Sequence, residues 1–150
     1  MPIKISEPAP DFELLSQSGA RVRLADFRAK KNVVLYFYPK DDTPGCTKES
    51  CSFRDQYDIF KEAGAEVIGV SADSASSHKN FADKYRLPFL LLSDPDNKVR
   101  ERYQISKTFG LFPGRVTFVI DKSGIVRHTF SSQLNLTGHV EQALKILHSL

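Results

Sequence analysis

Most of what would place this chain quickly in a class is missing from it. Its 150 residues hold only two cysteines, and no apolar run approaches the roughly 20 residues of a membrane span. The N-terminus, "MPIKISEPAPDF", lacks the apolar stretch of a secretory leader. The chain therefore reads as cytoplasmic, although a plastid protein already relieved of its transit peptide would look the same. Internal repeats, low-complexity tracts and linkers are absent, so residues 1–150 are expected to form one domain. Charge is not massed either: 21 basic residues stand against 18 acidic ones, a net of +3. The short run Arg28–Lys31 reads as a solvated turn, and no nucleic-acid partner is expected. The four histidines (His78, His128, His139, His148) make no ligand-spaced pair with one another or with the cysteines. A structural zinc site takes about four ligands, so no metal is expected.

What is present is an ordinary globular composition, 41% hydrophobic and 26% charged, with alternating strand and helix signals. "DFELL" and "RVRLADF", separated by "SQSG", predict an N-terminal hairpin. "NVVLYFY" predicts a strand buried on both faces, and "EVIGVSA" and "FLLLSD" predict two more. Phe53, Tyr57 and Phe60 follow helical spacing that Gly64 ends. "SSHKNFADKYR" predicts a helix capped by Ser76 or Ser77, with His78, Phe81 and Tyr85 on one face. "DPDN" leads into a helix carrying Val99 and Tyr103. "RVTFVID", "KSG" and "IVRHTF" read as strand, turn and strand, and Val140, Leu144 and Leu147 mark a closing helix. This order implies an α/β fold, a mixed central sheet flanked by helices. It also places Cys46 just past the carboxyl end of a central strand, at the first turn of a helix, where open α/β sheets hold their sites.

The cysteines lie in "YFYPKDDTPGCTKESC". Four residues separate Cys46 from Cys51, so the C-x-x-C redox spacing is absent. On a helix their Cα atoms would stand about 8.7 Å apart. A disulfide needs about 4.4–6.8 Å, so the bond closes only if that turn unwinds. Such a pair suits a switching cycle better than a static brace. Reactivity sets a further demand. An ordinary thiol is only about 3% thiolate at neutral pH, and a shift of about 2.5 pKa units is worth roughly 3.4 kcal/mol. A helix N-terminus supplies at most about 2 kcal/mol. A guanidinium close in space would cover the rest.

The stretch "PKDDTPGC", with Pro39, Thr43 and Cys46 spaced P-x-x-x-T-x-x-C, resembles the peroxiredoxins. The second cysteine in "CTKESCSFRD" is similar to the bacterioferritin comigratory protein branch, also called peroxiredoxin Q. "AGAEVIGVSADSASSHKNFADKYRLPFLLLSD" and "FPGRVTFVIDKSG" resemble its plant and cyanobacterial members. The resemblance covers about residues 8–147. It implies a thioredoxin-like fold and thiol-based reduction of hydrogen peroxide and organic hydroperoxides, with no metal or prosthetic group. By matching position, Cys46 corresponds to the peroxidatic cysteine and Cys51 to the resolving one. Thr43 would orient peroxide and thiolate, Pro39 and Pro44 would shape the loop with Gly45, and Arg115 would be the active-site arginine. Glu49 falls where related enzymes place a glutamate that holds the arginine.

The same resemblance implies an intramolecular Cys46–Cys51 disulfide recycled by thioredoxin or a similar dithiol, and a monomer. Taken singly, these residues have plainer readings. Thr43 and Pro44 suit any strand-to-helix turn, with Thr43 as an N-cap. Arg115 alone reads as a surface charge, Glu49 suits any first helical turn, and His78 reads as a partly exposed helix residue with no role. The joint pattern points to a site. Two other classes share these features: a general disulfide oxidoreductase, and a holdase or redox sensor.

Overall fold

The computed structural model describes residues 3–105, 114–132 and 135–150. Phe112 and Pro113, part of one resembling stretch, lie outside them. The N-terminal hairpin pairs β1 (Glu13–Ser16) with β2 (Arg21–Arg23) antiparallel, Leu14 opposite Val22. Gly19 turns the corner at φ +85°, a left-handed conformation that glycine adopts without a Cβ clash. The second strand is shorter than "RVRLADF". Leu24–Phe27 winds into a 3-10 turn, where the Arg23 N–H donates to the Asp26 carboxylate at 3.1 Å.

The remaining strands are β3 (Asn32–Phe37), β4 (Ala65–Ser71), β5 (Leu90–Ser93), β6 (Val116–Ile120) and β7 (Val126–Ser131). They join the hairpin in one seven-stranded sheet of order β2-β1-β5-β4-β3-β6-β7. Its centre is parallel (β3 with β4, β4 with β5), and β6 closes antiparallel on β3, Val116 opposite Phe37. The expected mixed sheet is thus observed.

Strand alternation divides the core. Val33, Leu35 and Phe37 point to one face, and Val34, Tyr36 and Tyr38 to the other, all of them buried. The first face is covered by the N-terminal segment through Ile3 and Phe12, and by α4 (Lys98–Arg102) with Val99 and its cap Tyr103. The second is covered by four helices: α1 (Pro44–Asp55), α2 (Tyr57–Glu62), α3 (Ala75–Tyr85) and α5 (Leu136–Leu147). Burying each aromatic anchor of this layer, such as Phe53, Phe60 or Phe81, contributes about 1.5–3 kcal/mol.

Two helix boundaries depart from expectation. The run carrying Phe53, Tyr57 and Phe60 breaks at Gln56, whose N–H donates to Phe53 O at 3.2 Å in a tight turn. Both phenylalanines still reach the same core, 5.7 Å apart between ring centroids. Gly64, at φ +77°, follows α2 as expected of a terminating glycine. The cap of α3 is Ser74 rather than Ser76 or Ser77. Ser74 alone of these keeps the extended backbone a cap needs, and its hydroxyl accepts from the Ser77 N–H at 3.1 Å.

Candidate active site

The end of β3 feeds directly into the site. Tyr36, the penultimate residue of β3, stacks against Phe53 of α1 at 4.5 Å and shares a 2.9 Å hydrogen bond with Ser50 Oγ. Gly69 on β4 makes room for that ring: a Cβ there would come within 2.8 Å of it. The chain then passes half-buried Pro39 and a loop before α1 starts at Pro44, whose fixed φ and missing N–H suit a first helical position. Cys46 is therefore buried in the first turn of α1, and Cys51 lies half-buried further along the same unbroken helix. Both thiols are free.

Arg115 reaches this turn from the residue before β6. Its Nη2 donates to Cys46 Sγ at 3.3 Å, and its Nη1 donates to Glu49 Oε1 at 2.6 Å. All three side chains are buried. The plain reading of Arg115 as a surface charge is thereby set aside. Gly45 permits the approach, since a Cβ at that position would sit only 3.2 Å from Arg115 Nη2. Burial works against the guanidinium charge, but Glu49 and Cys46 together outweigh it and hold the Arg115 pKa above its ordinary value. For Glu49 burial wins over Arg115 and lifts the carboxyl to about 7. Burial also raises the Cys51 thiol, against a smaller opposite effect of Arg54.

Thr43 occupies the N-cap position, but its hydroxyl makes no cap bond; it donates to Lys40 O at 3.0 Å. Its carbonyl starts the helix by accepting from the Thr47 N–H at 2.8 Å. Pro44 is exposed at the rim, beside half-buried Thr43 and Gly45.

Several residues absent from the sequence reading complete the surroundings. Arg100 of α4 is buried and stretched across the site, its Nη2 donating to Tyr38 O at 3.0 Å and its Nη1 to Gly114 O. Burial lowers its pKa to about 10, partly countered by Asp94 and Cys46. Behind Glu49, on α5, His139 is fully buried. Its Nδ1 lies 2.7 Å from Thr117 Oγ1 and 3.5 Å from Glu49 Oε2, and its Nε2 donates to Ser132 O at 2.7 Å. Burial lowers the His139 pKa to about 4.

His78 corrects an expectation outright. Far from partly exposed, it is fully buried beneath the loop before α1. Its Nε2 donates to Leu92 O at 2.9 Å, and its Nδ1 lies 2.7 Å from Asp41 Oδ2. Asp41 also accepts from the Tyr38 hydroxyl at 2.6 Å and the Ser77 hydroxyl at 2.8 Å. Next to it, Asp42 adopts φ +55° and is held by Tyr85 and Lys84 of α3 at 2.8 and 2.9 Å. The loop is thus clasped to α3. Asp41, Asp73 and His78 bring ligand-type atoms within 4.8 Å of one another. However, Asp73 Oδ2 already accepts from Ser71 Oγ and the Asp41 N–H, so the cluster satisfies itself by hydrogen bonds.

Comparison with known proteins agrees with this geometry. Residues 5–129 match the model of the AhpC/TSA family. A peroxiredoxin Q of Sedum lineare, named chloroplastic, is 53% identical over 94% of this chain and 76% of its own length. The chain belongs to the AhpC/TSA family, in its peroxiredoxin Q branch. The chloroplastic peroxiredoxin Q of Triticum aestivum is 54% identical over 94% of this chain, which spans 65% of that relative's length. Among solved structures, the peroxidoxin BcpB of Mycobacterium tuberculosis superposes with a TM-score of 0.91 at 36% identity, covering 99% of this chain and 98% of that one. The PrxQ of Xylella fastidiosa gives 0.89 at 29% identity, over 98% and 96% of the two chains. The thioredoxin-like peroxiredoxin fold expected from the resemblance is the fold observed.

Proposed function

We propose that this chain, working as a single domain and a monomer, is a thiol peroxidase that reduces hydrogen peroxide and organic hydroperoxides at Cys46. One linked contact carries the reading: buried Glu49 holds Arg115 at 2.6 Å, and Arg115 donates to Cys46 Sγ at 3.3 Å in the first turn of a helix. The Cys46 thiolate attacks the terminal peroxide oxygen. The O–O bond breaks, an S–O bond forms, and the leaving hydroxide or alkoxide takes up a proton to depart as water or alcohol. Arg115 and the N–H groups at the start of α1 stabilise the charge that develops on the peroxide oxygens. Thr43, Pro39, Pro44 and Gly45 shape the entry.

Cys51 then attacks the sulfenic sulfur, water leaves, and the Cys46–Cys51 disulfide forms. Thioredoxin or a similar dithiol supplies two electrons by exchange. Both thiols lie on one helix, so α1 must unwind for this step. The chloroplastic names of the relatives favour a plastid over the cytoplasm as the working compartment. No helix among the described residues is long and apolar enough to cross a membrane.

Peroxide consumption coupled to NADPH through thioredoxin and its reductase tests the proposal. Turnover should depend on peroxide and vanish in Cys46→Ser. Reduction of insulin with no peroxide turnover would instead mark a disulfide oxidoreductase.

A further inference from the structure

The carboxylate that holds the active-site arginine is only half satisfied. Glu49 Oε1 accepts from Arg115, but Glu49 Oε2 is buried with no hydrogen-bond partner among the described residues. Leaving a buried carboxylate oxygen unpaired is costly. His139 Nδ1 lies 3.5 Å from it. The proton inventory of that imidazole is constrained: its Nε2 faces a backbone carbonyl, Ser132 O, and must therefore carry the hydrogen. A neutral His139 then has Nδ1 as an acceptor, which takes the Thr117 O–H at 2.7 Å and turns its lone-pair side toward Glu49 Oε2 at 3.5 Å. Phe130 packs edge-on against the ring at 4.8 Å and fixes its plane. An ionised Glu49 finds no donor there. A protonated Glu49 fares better, because an Oε2–H can turn toward His139 Nδ1 as a second, longer donor beside the Thr117 hydroxyl.

We propose that His139 is a positioning residue that stabilises the protonated form of Glu49, and thereby sets how much of the Arg115 charge is available at Cys46. This rests on the reading of Cys46 as the peroxide nucleophile. When Glu49 is neutral, the guanidinium charge is undivided and acts on the thiolate and on the developing oxyanion. When Glu49 ionises, part of that charge is neutralised. Glu49 faces Arg115 from the start of β6, His139 from α5, Tyr36 from β3 and Cys46 on its own helix, with Arg100 of α4 beyond Cys46. Of these, Arg115 favours ionisation and burial opposes it. The balance lifts Glu49 to about 7, so its proton is exchangeable near neutral pH.

The test is a titration of the Glu49 carboxyl carbon in 13C-glutamate-labelled reduced protein, assigned by its loss in Glu49→Gln. The midpoint should lie near 7 in the native chain. In His139→Gln, which puts an amide donor where the acceptor was, it should fall by about one unit or more. Thiolate absorbance of Cys46, read in a Cys51→Ser background, should show an inflection that tracks Glu49 and disappears in Glu49→Gln. The rate of peroxide attack per thiolate should decline through the same pH range. An unshifted Glu49 midpoint in His139→Gln, or a native midpoint in the ordinary carboxylate range, overturns the inference. Should His139→Gln not fold, Thr117→Val carries the test: it frees Nδ1 for Glu49 and should raise the Glu49 midpoint, and an unmoved midpoint there overturns the inference. Absorbance that follows Glu49 in a protein consuming no peroxide would remove the peroxidase reading and leave the inference standing. Peroxide turnover with Cys46 blind to Glu49 would do the reverse.

Discussion

Two buried histidine–carboxylate pairs flank the start of α1, and they are built differently. In the pair upstream of the helix, His78 Nδ1 lies 2.7 Å from Asp41 Oδ2, and the other atoms are served by Leu92 O, the Tyr38 hydroxyl and the Ser77 hydroxyl. Nε2 donates to the carbonyl, and the 2.7 Å contact of Nδ1 with the carboxyl group closes the pair. In the pair on the helix, His139 Nδ1 stays 3.5 Å from Glu49 Oε2, which has no hydrogen-bond partner among the described residues. The same two residue types thus make a closed clasp in one place and an open contact in the other. The closed pair fixes the loop that aims Thr43 and Pro44. The open pair leaves room for one proton beside the arginine that touches Cys46.

Removing what the open pair acts on should give the largest effect. Arg115→Met takes away the guanidinium that contacts both Glu49 and Cys46. Peroxide attack should slow by about 100-fold or more even where Cys46 is fully ionised, because a preorganised charge at the developing oxyanion is lost. Stopped-flow rates at high pH check this, and an unchanged rate there would place Arg115 outside the chemistry. The same removal in the closed pair should act on stability instead. Asp41→Asn disrupts the buried carboxyl group shared by His78, Tyr38 and Ser77 and should cost about 3–5 kcal/mol in denaturant unfolding. His139→Gln gives up the 2.7 Å bonds to Thr117 Oγ1 and Ser132 O but strands no buried carboxylate contact of that length, and should cost less, about 1–3 kcal/mol. Equal losses would erase the distinction between clasp and open contact.

Oxidation offers an internal version of that contrast. A Cys46–Cys51 bond requires Cα atoms brought from about 8.7 Å to within about 6.8 Å, so the turns carrying Glu49 must unwind. Glu49 should leave Arg115 and His139, and Phe53, now fully buried against Tyr36, should come free. Asp41 and His78 lie outside that segment and should not move. Hydrogen exchange in the two redox forms checks the backbone: protection should be lost from about Gly45 to Arg54. Ring resonances check the pairs, with His139 shifting on oxidation and His78 unchanged. Equal protection of Thr47 to Arg54 in both forms would require another route for Cys51.

Little of this contrast was legible in the sequence, although the helix at its centre was. The spacing of Pro39, Thr43, Cys46, Glu49 and Cys51 is local, and so is the β3 pattern that delivers it. Arg115 came from a matching motif, because its 3.3 Å contact joins positions 69 residues apart and no local pattern encodes it. Arg100 is hidden among other basic residues in "NKVRER"; only the Tyr38 and Gly114 carbonyls and the Phe37 ring beneath it make it a buried cation. His78 and His139 carried an unused signal. His78 shares a face with Phe81, and His139 lies four and eight residues before the buried Ala143 and Leu147. A polar residue on an apolar stripe is a buried residue in need of a partner. What the stripe cannot say is whether the partner lies at 2.7 or 3.5 Å.

The smallest effect is a slope in stability with pH, and it isolates the open pair. Glu49 is raised from an ordinary 4.5 to about 7. Its proton is held more tightly in the folded chain, so its contribution is complete below about pH 4.5 and is lost as pH rises through about 7. His139 is depressed from 6.5 to about 4; its contribution is complete above 6.5 and is lost as pH falls through about 4. Between about 4.5 and 6.5 the two slopes have opposite sign and cancel in the native protein. Glu49→Gln removes one of them. Its stability should then fall with falling pH across that window, by up to about 1.4 kcal/mol per pH unit relative to the native chain. Taking the difference between the two proteins removes every other titrating group, the Asp41–His78 pair included, because both chains share them. Denaturant midpoints at several pH values supply the curve. Two parallel profiles would mean that Glu49 and His139 do not titrate as an opposed pair, and the proton placed between them would have to sit elsewhere.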